Sequence, residues 1–259
     1  MISSPTLSRS LEPPANASVL ALRRAIQTIE AGGMIEAAEM LPFGIPAIDH
    51  VLGGGLATGA LHEIAAARES EIVAATGFAL AVVKTRVVLW IAEDMALAES
   101  GAPYGPGLDG LGLPPELCVT VAASRAGDVL WAMEEALRCR AVGAVISEIR
   151  ADASFTLTRR LSLAVRRGAL AFILRTAPSE ERSAALTRWI VGSAPAAPSA
   201  HGVGPPRLHV RLVRNRRGRL GSWTLEWNRV EQRFDLAPAV REPVVATALD
   251  RPRQARVAA

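Results

Sequence analysis

The chain contains one lysine. Of its 29 basic residues all but Lys84 are arginine, and a GC-rich coding sequence accounts for that skew without any demand for guanidinium chemistry. Aromatic residues make up only 4%, so Ala, Val and Leu must do most of the burying. Cysteine is nearly absent. Cys118 and Cys139 have no metal-ligand spacing and read as buried free thiols of a reducing compartment. Long apolar runs are missing too: the longest uncharged one, Ile72–Val83, has 12 residues, against the roughly 20 that a membrane helix needs. No basic segment leads into an apolar one at the start, so no secretory signal is expected. Catalytic signatures also fail. There is no G-x-S-x-G elbow. His50, His62, His201 and His209 form no H-E-x-x-H and do not pair with the cysteines, so no metal is expected. Gly53–Gly59 misses G-x-G-x-x-G because Thr58 holds the third position.

What is present is a chain of 259 residues, half apolar and 21% charged. That composition excludes wholesale disorder and supports a large core. The charge is uneven. Residues 1–200 carry 17 basic and 20 acidic residues, whereas residues 201–259 carry 12 and 5. The positive excess sits in the last fifth, where it favours a polyanion or an acidic partner.

Residues 1–17 are rich in Ser and Pro and read as a disordered tail. The block 18–39 reads as an N-terminal helix, capped by Ser18 and running to about Ala31, with Leu22, Ile26 and Ile29 on one face and Gly32-Gly33 ending it. From there strand-like and helix-like blocks alternate. The strands are Ala60–Ala65, Arg86–Ala92, Cys118–Ala122, Ala141–Ile146 and Ala169–Leu174. The helices are Ile72–Val83, Asp128–Arg140 and Thr156–Arg167. This order predicts an α/β fold, a mainly parallel sheet with helices on both faces. After a Pro/Gly loop at Ala194–Pro206, Leu208–Val213 and Ser222–Trp227 flank the basic turn Asn215–Gly221. They form a C-terminal antiparallel hairpin extension rather than a second domain. Residues 238–259 read as an irregular tail. Trp223 and Trp227 share one face of the last strand and are expected in the core.

The segment LPFGIPAIDHVLGGGLATG, followed by ALHEIA, resembles the opening of a RecA-type ATPase core. Such a core places a phosphate-binding loop, G-x-x-x-x-G-K-[ST], after its first strand. Here that position is Ala66–Val73, AARESEIV. Both glycines are gone, Ile72 stands for the lysine and Val73 for the hydroxyl, and Glu69 and Glu71 oppose a triphosphate. No cofactor is expected from this degenerate loop. Lys84-Thr85 follows Val83 and opens a strand, so it is no displaced loop. Glu93 matches the place of a water-activating glutamate, and Ser147, before Glu148, stands where a magnesium-binding aspartate belongs. Both read as residues of a site without its nucleotide. The long loops by which recombinases hold DNA are also short, at EIRADASFTLTRR and TAPSEERSAAL. His62 reads as a strand filler rather than a base. Arg214-Asn215-Arg216, with Arg217 and Arg219 behind, matches a basic element that RecA-like proteins direct at the nucleotide of a neighbouring subunit. It is the candidate partner or phosphate contact.

Together LPFGIPAIDHVLGGGLATGALHE, the LGLPPE turn, ALTRWIV at 185–191 and VRNRRGRLGSWTLEW at 213–227 resemble the ImuA family. These are degenerate RecA-like (SulA-like) proteins encoded in bacterial DNA-damage-inducible mutagenesis cassettes. The resemblance spans residues 40–237. It implies a RecA-like core and a non-catalytic adaptor of error-prone translesion synthesis in the SOS response. The implied companions are an ImuB-like Y-family protein, RecA and an error-prone C-family polymerase subunit, in the cytoplasm and at the nucleoid when engaged. Two alternatives stay open: a basic DNA-binding module contacting DNA through the hairpin, and a divergent ATPase with Glu93 and Glu148 as its acids.

Overall fold

The computed structural model describes residues 39–238 apart from 85, 151–152 and 198–201. The tails and the N-terminal helix expected over 1–17, 18–39 and 238–259 lie outside the described residues, save for Glu39 and Pro238 at their boundaries.

The runs of Ala, Val, Ile and Leu that carry no alternation become strands buried on both faces, as a parallel sheet requires. They are β3 (Ala60–Ala66), β4 (Val88–Glu93), β6 (Ala144–Glu148) and β7 (Leu170–Arg175), with β5 (Cys118–Ala123) on the edge. β8 (Thr187–Ala194) joins them in parallel beside β3. The alternating segments become β9 (Arg207–Asn215) and β10 (Gly221–Asn228), and a short β11 (Arg233–Leu236) follows; these three add on antiparallel. The nine-stranded order is β11-β10-β9-β8-β3-β7-β6-β4-β5. A separate pair, β1 (Met40–Leu41) and β2 (Leu56–Ala57), closes the opening turn.

One apolar layer carries α1 (Pro46–Leu52), α2 (Ile72–Val83), α3 (Asp94–Ser100) and α4 (Gly105–Gly110). The opposite layer carries α5 (Ala126–Arg138) and α6 (Phe155–Ala164). The GIPAID turn is held by Asp49, whose carboxylate accepts from the Phe43 and Gly44 amides at 2.8 and 3.0 Å, with Pro46 in the first turn of α1. The triple glycine ends α1. At Gly55, φ is 137° and a Cβ would strike the Leu41 carbonyl, so only glycine fits.

The scarce aromatics are concentrated. Phe43, Phe78, Trp189, Trp223, Trp227 and Phe234 form one chain of rings under the antiparallel extension, with successive centroids 4.8 to 6.2 Å apart. Trp227 is buried and Trp223 half-buried, as the sequence predicts. Burial of this cluster fastens β9–β11 to the parallel core.

Three expectations are corrected. Ala185–Val191 was read only as part of a family signature, yet Thr187–Ala194 is a full strand inside the sheet; its polar start and short apolar run hide it. Strand β11 and helices α3 and α4 also escape the sequence, because GPGLDG and RFDL are too short to show a period. The cysteines are free, but Cys118 is half-buried and Cys139 exposed, since Cys139 falls just past the end of α5. Among the described residues no helix is long and apolar enough to cross a membrane.

Candidate interaction site

The degenerate loop is built around its own carboxylate. After β3, the Ala67 amide donates to the Val191 carbonyl at 2.8 Å, and a single 3-10 turn, Glu69–Glu71, leads into α2. The Glu71 side chain is 8% exposed and accepts from Arg68 Nε and Nη2 at 3.2 Å each and from the Ser193 amide at 3.1 Å. The Arg68 hydrogen bond, with the Ser193 amide second, holds the Glu71 carboxyl below the usual carboxylate range. Gly192 lies against this carboxylate: a Cβ there would meet Ala67 Cβ at 3.0 Å and Glu71 Oε2 at 3.1 Å. Val73, where a magnesium-binding hydroxyl would stand, is 77% exposed. Lys84 sits at the far end of α2 and donates to the Gln232 carbonyl at 2.5 Å, tying the β10–β11 turn to the core.

Glu93 and Glu148 do meet, at the C-terminal ends of β4 and β6. Glu148 is buried, and its carboxyl is pushed up by burial, opposed by Arg150 at 3.9 Å and reinforced by Glu93 and Glu99. Arg150 is drawn to Glu99. Ser147 is fully buried on the α5–α6 side with its hydroxyl unbonded. Among the described residues no His/Cys/Asp/Glu group has the arrangement of a metal site.

His62 is a core residue. Its Nε2 bonds the Ala57 carbonyl at 2.9 Å, so that nitrogen carries the proton; Nδ1 then accepts from the Thr187 hydroxyl at 2.7 Å. Thr187 Oγ1 in turn accepts from Trp189 Nε1 at 2.8 Å. The relay is complete, and burial lowers the His62 pKa to about 4.

The segment where a recombinase would carry a mobile DNA loop is an eleven-residue strap, 176–186, between β7 and β8. It is pinned along its length. Ala184 N donates to Thr158 Oγ1 at 3.0 Å and Leu186 N to the Leu61 carbonyl at 2.7 Å. Arg188 ties the strap to the sheet, donating to Glu63 at 2.8 Å and to the Ser179 and Glu181 carbonyls at 2.9 and 2.7 Å.

The basic hairpin lies at the opposite end of the sheet from the degenerate loop. Asn215 pairs with Thr187 at the start of β8, whereas the loop is fixed at Val191, four strand residues or about 13 Å away. The arginines therefore cannot serve their own chain's loop. Asn215 is engaged within the turn: its amide donates to the Val51 and Arg219 carbonyls and its oxygen accepts from the Arg217 amide. Arg216 donates to the Ser183 carbonyl at 3.1 Å and Arg217 lies against Met40, both exposed at the surface beside exposed Arg219. Arg214 is half-buried, and its guanidinium is held below the usual arginine range by burial and then by Arg216 and Arg188.

A feature no sequence pattern reveals sets Arg214's direction. Arg188 faces Arg214, but Trp189 faces Leu212, so Val213 is a bulge. Without it, Arg214 would continue the Leu208, Val210, Leu212 face into the core; with it, Arg214 shares the outer face of Arg211 and His209.

A nine-stranded sheet of this order, with helices on both faces and an antiparallel extension, defines the RecA-like class. The crystal structure of the RadB recombinase superposes with a TM-score of 0.53 at 14% identity, covering 77% of this chain and all of that one. The chain belongs to the ImuA family: it is 35% identical over 209 residues to Protein ImuA of two Caulobacter vibrioides strains, NA1000 / CB15N and ATCC 19089 / CIP 103742 / CB 15, an overlap of 72% of this chain and 83% of each relative. No family model matches.

Proposed function

We propose that this chain is a non-catalytic adaptor of damage-induced, error-prone translesion synthesis, docking a RecA-type or ImuB-type partner and a C-family polymerase subunit in the cytoplasm. The observation that supports this reading is the contrast between the two ends of the sheet. The loop that would hold a triphosphate carries the Glu71 carboxylate, bonded by Arg68, while the hairpin arginines at the other end present charge to solvent. A RecA-like core without nucleotide chemistry keeps the surfaces by which such cores pack side by side, and charge at such a surface governs partner choice and association rate.

The test is a tagged pull-down from DNA-damaged cells with nuclease treatment and mass spectrometry, comparing the natural chain with a variant in which Arg214, Arg216, Arg217 and Arg219 are all Ala. Nuclease-resistant recovery of such partners, lost in the variant at unchanged thermal stability, is expected. Undiminished recovery by the variant removes the hairpin from the interface, and recovery abolished by nuclease makes DNA the bridge.

A further inference from the structure

We propose that the outer face of β9 is a track for the backbone of single-stranded DNA, with His209, Arg211, Arg214 and Arg216 as its successive contacts. The hairpin arginines alone suggest a prong at one turn. The structure extends them into a line, because the Val213 bulge brings Arg214 onto the face of His209 and Arg211.

Three observations carry the inference. The first is position. Charges on an edge strand keep it from pairing with other chains, but β9 is interior to the sheet, between β8 and β10, so edge protection does not explain them. The second is the lack of compensation. In an antiparallel pair, opposite charges face one another across strands. Here Arg211 faces Ile190 on one side and Ser222 on the other, and His209 faces Gly192 and Thr224. Arg214 faces another arginine, Arg188, a like-charge pairing that ordinarily destabilises a sheet. Arg188 is paired with Glu63, whereas Arg214 makes no ion pair of its own among the described residues; burial first, and then Arg216 and Arg188 against a smaller opposing pull from Glu63, lower its proton affinity. At the far end of the line Arg207 is paired with Glu226 at 2.6 Å, so the track stops at His209.

The third is spacing. His209 and Arg211, alternate residues of β9, lie about 6.6 Å apart, comparable to successive phosphates along an extended single strand; Arg214 follows across the bulge and Arg216 from the turn beyond the strand. The Ser222 hydroxyl lies 3.3 Å from His209 Nε2, and the cavity beside His209 and Arg211 is also lined by Gly192, the exposed Arg68 and the Glu71 carboxylate that Arg68 partners. The tryptophans of this region all point into the core, so bases have no stacking platform and the contact is to the backbone, without sequence preference.

The experiment uses the full chain alone and a fluorescent oligothymidylate, with anisotropy titrations from 50 to 300 mM salt. Three arginine–phosphate contacts predict a slope of log affinity against log salt of about −2. Arg211→Ala reduces the magnitude of that slope by about 0.7 and Arg211→Glu lowers affinity at 50 mM salt by about tenfold or more. Arg140→Ala, an exposed site before β6 and four strands away, leaves both unchanged. Circular dichroism confirms that each variant is folded. Absence of binding at 50 mM salt, duplex bound as tightly as single strand, or a full-strength Arg211→Glu variant overturns the proposal. Because no partner protein is present, failure here leaves the adaptor reading standing, and failure of the pull-down leaves this one.

Discussion

His62 shows what one residue type can be used for inside a sheet. Its two nitrogens are both bonded, Nε2–H to Ala57 and Nδ1 to Thr187, and burial disfavours the charged ring. Unfolding releases it to take up a proton at its ordinary pKa of 6.5, whereas the folded chain resists until about 4. Stability from this group is therefore full above pH 6.5 and is lost as pH falls toward 4, by about 3 kcal/mol in all. Urea unfolding between pH 7.5 and 4.5 is expected to show that decline, and His62→Gln to be less stable at pH 7.5 but with a flatter pH dependence. An equally steep decline in the variant would assign the acid sensitivity elsewhere. The sequence reads His62 as a strand filler; its partners, one of them 125 residues away, are set by β8 lying beside β3. The same holds for Glu63 and Arg188, neither of which the sequence marks as special.

At the scale of elements, the degenerate loop is a packing unit. Gly192 of β8 and Glu71 before α2 touch closely enough that a methyl group at 192 would make its neighbours, Ala67 Cβ at 3.0 Å and Glu71 Oε2 at 3.1 Å, shift by a few tenths of an ångström. Arg68, by contrast, is 78% exposed in its side chain, and exposed ion pairs contribute little. Gly192→Ala is thus expected to cost about 1–3 kcal/mol and Glu71→Gln less, as measured by urea unfolding. The reverse order would make charge, not fit, the agent that holds the loop. Elements were legible where their residues were uniform: the helix Ile72–Val83 has the bounds the sequence predicts, and the five apolar strands lie within a few residues of theirs. Legibility failed where structure depends on neighbours. The strap 176–186 has no periodic pattern and is ordered by hydrogen bonds to β3, α6 and Arg188. Strand β8 is recognisable only once β3 and β9 flank it. The arginines of the hairpin are visible as a motif, while Arg211 and His209 belong to none, because a strand's alternation says which residues face out and not whether anything covers them.

For the molecule as a whole, the hairpin arginines and the carboxylates of the degenerate loop are kept at opposite ends of one sheet, while His209 and Arg211 border the same cavity as Glu71 and Arg68. Glu71, held by Arg68 and the Ser193 amide, puts a carboxylate where a triphosphate would sit. A ligand present at a hundred times its dissociation constant would stabilise the fold by about 2.7 kcal/mol. Millimolar ATP with magnesium is expected to leave the melting temperature unchanged. A rise of several degrees would revive the ATPase alternative and direct attention to Glu93 and Glu148.

The extra residue at Val213 also constrains how this strand can change. Substitution there leaves the two arginines on either side pointing as they do. Deletion of that single position would turn Arg214 toward the rings around Trp189 and draw the hairpin one step along the sheet. In this stretch the count of residues matters more than their identity, so an insertion or deletion is the lesion the strand tolerates least.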